Sequence, residues 1–203
     1  MSLGPANHRK MAPRVRGGRV QKKNSWQPAH GDYNRVRQRC PVIDRKRPGE
    51  GYTHVLRRAD VQRFTELLPD WDELAVGLDA VVLAPGEWNT EGWYERGVVV
   101  VCAWEKGLWT HSTREYCESN NAMLDRLDVP REDRGSYVLC KWTEPTVRAY
   151  QLLGVLLHEL GHHHDLMTTR SRWDAARGEP FAEKYALRYT DDIWDSYIQA
   201  FEL

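Results

Sequence analysis

The chain has 203 residues, 29 Lys and Arg against 29 Asp and Glu, and 41% hydrophobic residues, which suits one domain with a packed core and an appendage. Mean hydropathy is −0.69, and the longest apolar runs, Leu152 to Leu157 and Val98 to Trp104, are too short to cross a bilayer, which excludes a transmembrane helix. Met1 to Arg39 is basic and polar with no apolar core of a signal peptide, so the expected location is cytoplasmic, with no membrane partner.

The balanced charge hides an asymmetry. Residues 1–50 carry thirteen Lys and Arg against Asp32, Asp44 and Glu50, a net charge of +10, with few apolar side chains. Dense like charge without apolar surface does not offset chain entropy, so residues 1–50 are expected to form a mostly disordered basic arm, and residues 51–203 the folded domain. Such an arm can hold nucleic acid or another acidic partner, with Trp26 and Tyr33 available to stack on bases; the alternative is a solvated tail that balances an acidic domain. Cys40, Cys102, Cys117 and Cys140 form no C-x-x-C pair and read as single thiols, and Cys102 and Cys140, which lie in apolar runs, read as buried ones.

From residue 51 onward, Val61, Phe64, Leu67 and Leu68 recur at helical spacing before Pro69 and predict a short helix over Ala59 to Leu68. Leu74 to Leu83 reads as a strand closed by Pro85-Gly86, and Glu87 to Tyr94 as a loop whose Trp88 and Trp93 either line a cleft or pack over a sheet. Val98 to Trp104 and Leu108 to His111 read as a hairpin turned at Glu105-Lys106-Gly107, its first strand buried on both faces. A polar helix near Ser119 to Leu127, a strand over Tyr137 to Trp142, and two long helices, Glu144 to Thr168 and Glu179 to Phe201, complete the chain. Strands followed by helices predict an α+β fold.

Chemistry concentrates in the first long helix. His158-Glu159-Leu160-Gly161-His162 is an H-E-x-x-H match. Residues four apart on a helix lie about 40° from each other around the axis, so both imidazoles can face one ion with Glu159 beside it. On the same wheel Gln151, Gly154, Val155, Gly161 and Asp165 share the histidine side, while Leu152, Leu153, Leu156, Leu160 and Met167 lie behind. A greasy back and an uncrowded front are what a metal helix needs, since a catalytic zinc takes three protein ligands and keeps one position open. Gly and His at positions 165 and 168 would mark the metzincin pattern; Asp165 and Thr168 stand there instead. Downstream, Glu179 opens a helix with Ala182 and Ala186 behind it, small residues that let this helix approach the histidines.

Over residues 144–189 the chain resembles the gluzincin metallopeptidases, whose third ligand is a glutamate in a later helix, and most of all their small intracellular ImmA/IrrE-like members. Glu179, Ala182, Glu183, Tyr185 and Ala186 carry that resemblance, with Glu183 where Asp or Asn is usual. It implies a zincin-like domain, a small mixed sheet beside the active helix, with one Zn2+ per chain on His158, His162 and Glu179, and Glu159 as catalytic base. Glu183 stands as the alternative third ligand. The implied activity is zinc-dependent hydrolysis of peptide or protein substrates. Zincin substrates lie along a sheet edge, for which the hairpin over Val98 to His111 is the candidate. His163 and His164 point away from the metal face and are expected in solvent or at the helix end; Asp165 either orients a ligand imidazole or faces water at the helix end, and Tyr189, Arg188 and His111 are candidates to stabilise an oxyanion. The alternative function is a non-catalytic, metal-containing regulator, or a nucleic-acid-binding protein acting through residues 1–50.

Overall fold

The computed structural model describes residues 40–169 and 177–203, with Tyr33 and the backbone of a small hairpin, β1 (Arg14–Arg16) and β2 (Arg19–Gln21). Most of the expected basic arm, Trp26 included, lies outside the described residues.

The fold is α+β. Its main sheet holds four strands: β3 (Val42–Arg45), β5 (Ala80–Ala84), β7 (Val98–Cys102) and β6 (Gly92–Glu95), in that spatial order. β3, β5 and β7 run parallel, and β6 closes one edge antiparallel to β7. Between β3 and β5 the chain passes through β4 (Tyr52–Thr53), α1 (Arg58–Thr65) and α2 (Trp71–Leu74). Folded structure therefore begins before residue 51, within the stretch expected to be a disordered arm: Ile43 reaches the core and Asp44 collects Lys46, Arg58 and the Tyr33 hydroxyl. Local charge density misleads there, because β3 pairs with residues 38 positions downstream, Val42 with Ala80 and Ile43 with Val81. Tyr33 packs against the sheet rather than standing open to stack on bases.

Val-rich β5 and β7 are buried on both faces, as interior parallel strands require. Val81, Leu83, Val99 and Val101 face the helices, while Val82, Val98 and Val100 face away and are covered by Trp93 and Tyr33.

The expected hairpin over Val98 to His111 does not form. β7 already has a neighbour on each side, so the chain leaves the sheet: β8 (Trp104–Glu105) pairs with β4, and β9 (Trp109–Ser112) joins a separate antiparallel sheet. The true hairpin is β6–β7, turned by Arg96 (φ 44) and Gly97 (φ 84), two left-handed residues that match the twist of a two-residue turn. Thus the end of the aromatic segment is an edge strand rather than the expected loop; Trp93 covers the sheet, and Trp88 projects 73% exposed from a turn closed between Glu87 and Thr90.

The second sheet orders β10 (Arg131–Asp133), β11 (Val138–Lys141) and β9, next to α3 (Arg114–Ser119) and α4 (Asn121–Arg126). Cys102 and Cys140 are buried thiols, as expected; Cys117 is buried too, its sulfur 3.8 Å from that of Cys140, and Cys40 is exposed.

The long helix starts where Thr143 caps it, its hydroxyl accepting the Thr146 N–H, and runs as α5 (Glu144–Ala149), a π-helical stretch (Tyr150–Leu156) and α6 (Leu157–Thr168). The wider π turns shift the phase of the helix, so one α-helical wheel does not relate its two ends. Leu152, Leu153, Leu156, Leu157 and Leu160 are all buried in the core, and α7 (Glu179–Phe201) packs along α6. Among the described residues no helix is long and apolar enough to cross a membrane.

Candidate metal centre

α6 crosses the helix-facing side of β6 and β7 and brings His158, Glu159 and His162 into a nearly buried position, each between 6% and 8% exposed. Close approach to the strand depends on Gly92. A Cβ there would meet Val155 Cγ1 at 2.6 Å and Glu159 Cγ at 3.4 Å, so the missing side chain makes room for the helix and the Glu159 stem.

α7 arrives from the other side. A Cβ on Gly161 would lie 2.8 Å from the Ala182 Cα, so the two helices meet almost backbone to backbone. This contact sets Glu179, in the first turn of α7, above the histidine pair.

The three groups converge. His158 Nε2 lies 3.1 Å from Glu179 Oε2, His162 Nε2 lies 3.5 Å from Glu179 Oε1, and the two Nε2 atoms are 3.1 Å apart. Four ligands held ~2.05 Å from a zinc ion in a tetrahedron are separated by ~3.3 Å, so these spacings fit three corners of such a site. Two imidazole nitrogens and a carboxylate are also the donor set that zinc accepts. Burial works to raise the Glu179 carboxyl, but its contacts with His158 and His162 and their charge outweigh burial and hold the group far below the usual carboxylate range.

The remaining candidates fall elsewhere. Glu183 is exposed, one turn beyond Glu179, and does not belong to the cluster of His158, His162 and Glu179. Arg188 is largely exposed and pairs with Asp192, Tyr189 packs its ring on Tyr185, and His111 stacks on Tyr137 in the second sheet.

Two expectations need correction. His163 is 2% exposed rather than at the surface: the Tyr94 hydroxyl accepts the Gly97 N–H, so it donates to His163 Nδ1, and the protonated Nε2 donates to the Val76 carbonyl. Burial holds this imidazole down at about 4, neutral throughout the physiological range. His164 lies half-buried between the helices, parallel to the Phe181 ring at 6.0 Å. Asp165, expected either beside a ligand imidazole or facing water at the helix end, is fully buried and instead receives the Arg177 side chain and the N–H groups of Arg177 and Gly178.

His163 thus ties α6 to the edge strand and to the turn before β5. Truncation by His163→Ala is expected to cost about 3 kcal/mol of stability through the cavity and the lost hydrogen bonds. Urea denaturation measures it; a loss below about 0.5 kcal/mol, the range of surface substitutions, would place the side chain outside the load path of the fold.

Around the centre sit groups that composition did not single out. Glu91 accepts hydrogen bonds from the Tyr116 and Tyr150 hydroxyls, 2.7 and 2.9 Å away, and so braces the start of β6 against the π-helical stretch. Burial and the nearby carboxylates of Glu87, Glu159 and Glu91 push the Cys102 thiol up, which keeps it protonated and inert. The signal for Gly92 and Tyr94 was present in the Arg96-Gly97 dipeptide, a two-residue turn between β-prone segments. Compared with protein-family models, with curated proteins and with solved structures, the chain matches none.

Proposed function

We propose that the chain is a zinc-dependent metallopeptidase of the gluzincin kind, with a zincin-like domain and one Zn2+ per chain. The observation that carries this reading is the convergence of His158 Nε2, His162 Nε2 and the Glu179 carboxylate at 3.1 to 3.5 Å, with Glu159 alongside. A mixed sheet with an antiparallel edge strand next to the motif helix supports the zincin comparison.

His158, His162 and Glu179 would hold the ion, which when bound lowers the pKa of its water to about 7 and polarises the scissile carbonyl. Glu159 takes a proton from the attacking water and passes it to the leaving amine nitrogen. Its buried position beside Gly92 keeps its carboxylate stem fixed, so the base need not be ordered during the reaction. The substrate backbone lies along β6, a terminal strand of the main sheet and the one beside Glu159; this replaces the hairpin over Val98 to His111 as the candidate edge.

The test is zinc per chain by elemental analysis of the purified protein, beside Glu179→Ala and Glu183→Ala. The expected result is about one zinc in the parent and in Glu183→Ala, with zinc lost from Glu179→Ala. No zinc in the parent after metal is added and the excess removed would overturn the reading and turn attention to the basic residues 1–50 as a nucleic-acid or acidic-partner site.

A further inference from the structure

His158, His162 and Asp165 stand at i, i+4 and i+7 on α6, a single stripe of one helix. The first two offer their ring nitrogens to the metal centre. Asp165 does something different. Its carboxylate, 0% exposed, takes the Arg177 N–H and the Gly178 N–H on Oδ2, both at 2.9 Å, and the Arg177 Nε on Oδ1 at 2.7 Å. These donors belong to the two residues immediately before Glu179.

Gly178 is the N-cap of α7, and no side chain of its own segment caps the helix. It adopts φ 64 and ψ −150, a conformation open only to glycine, which directs its N–H to Asp165 and the following residue toward the histidines. The Arg177 guanidinium is held on its other side by the Phe181 ring, 3.6 Å away on the first turn of α7. The chain entering α7 is thereby moored to the same rigid helix that carries the imidazoles.

We propose that Asp165 is the positioning residue for Glu179: it fixes the third ligand relative to the first two, rather than orienting an imidazole. The inference rests on the reading of His158, His162 and Glu179 as a zinc centre. A carboxylate is suited to this because three N–H donors converge on it, and charge-assisted bonds of this kind are about twice as strong as neutral ones. The amide of Asn turns donors toward donors on one side and unfastens the segment.

The experiment is a double-mutant cycle in zinc affinity, measured on the purified full chain by competition with a chromophoric chelator. Asp165→Asn is expected to weaken zinc binding ~10- to 100-fold, the range found for groups that support metal ligands. In a Glu179→Gln background the same change is expected to alter affinity less than about 2-fold, because the ligand that Asp165 places is already gone. A purely structural role lowers thermal stability in both backgrounds and leaves the affinity effects additive. Equal effects with and without Glu179, or no effect in the parent, would overturn the proposal while leaving the zinc centre standing; absence of zinc from the parent would instead remove the centre itself. Where Asp165→Asn does not yield folded protein, Gly178→Ala is read in its place, since a Cβ at φ 64 turns the same N–H away from an intact Asp165, and the same two patterns decide.

Discussion

Glu159→Gln is expected to lower peptide hydrolysis about 10³-fold while zinc content stays at that of the parent, within the range that a positioned general base contributes. The amide of Gln has nearly the volume of the carboxylate, so the contacts of the side-chain stem with the Gly92 region persist and the fold is retained. What disappears is the capacity to accept a proton. Glu159 sits between the two histidines in sequence but outside the triad that converges at 3.1 to 3.5 Å, so the variant separates base from ligand. Hydrolysis is followed with a mixed-sequence library of quenched fluorescent peptides, and zinc by elemental analysis of the same preparations. Full activity in Glu159→Gln removes it from the chemistry; loss of zinc together with activity makes it a ligand and not a base.

How far the sequence reveals this site depends on how local each feature is. The H-E-x-x-H helix, the later helix and its leading glutamate follow from spacing within single elements: Thr143 to Thr146 starts one helix, Gly178 precedes the other, and both run close to their expected bounds. β3 and β6 depend instead on pairing. Val42 to Arg45 becomes a strand only because β5 supplies a parallel neighbour, and Gly92 to Glu95 only because a left-handed turn at Arg96-Gly97 folds it onto β7. His163 shows the same limit. On the wheel it points away from the metal face, and a wheel does not reveal that Tyr94 and Val76, 69 and 87 residues earlier, wait on that side. Asp165 shares the histidine stripe of α6, as the wheel shows, but its partners come from the segment before α7, which a wheel does not reach.

The second large effect is expected at Gly161. Elsewhere in an exposed helix, Gly→Ala is worth about 1 kcal/mol in favour of the helix. Here the added Cβ would stand 2.8 Å from the Ala182 Cα and 3.2 Å from the Ala182 Cβ and carbonyl oxygen. Carbon atoms rest at about 3.5 to 4.0 Å, and a backbone atom has no rotamer by which to retreat, so α7 as a whole must back away by roughly 1 Å. Overpacking of this kind costs about 1 to 3 kcal/mol, enough to cancel the propensity gain and leave a net loss of about 1 kcal/mol. The metal centre is affected more than the fold. Glu179 lies one turn from Ala182 on the retreating helix, and a shift of about 1 Å opens a triangle of ~3.3 Å edges beyond the reach of bonds near 2 Å. Gly161→Ala is therefore expected to weaken zinc binding more than about 10-fold, against a modest fall in thermal midpoint. Gly154→Ala is the matched control on the same long helix: its Cβ meets only the Tyr150 ring, at 3.6 Å, an ordinary contact, and it is expected to leave zinc affinity unchanged. If Gly161→Ala binds zinc as tightly as Gly154→Ala, the close helix contact does not set the height of Glu179, and the mooring at Asp165 alone must do so.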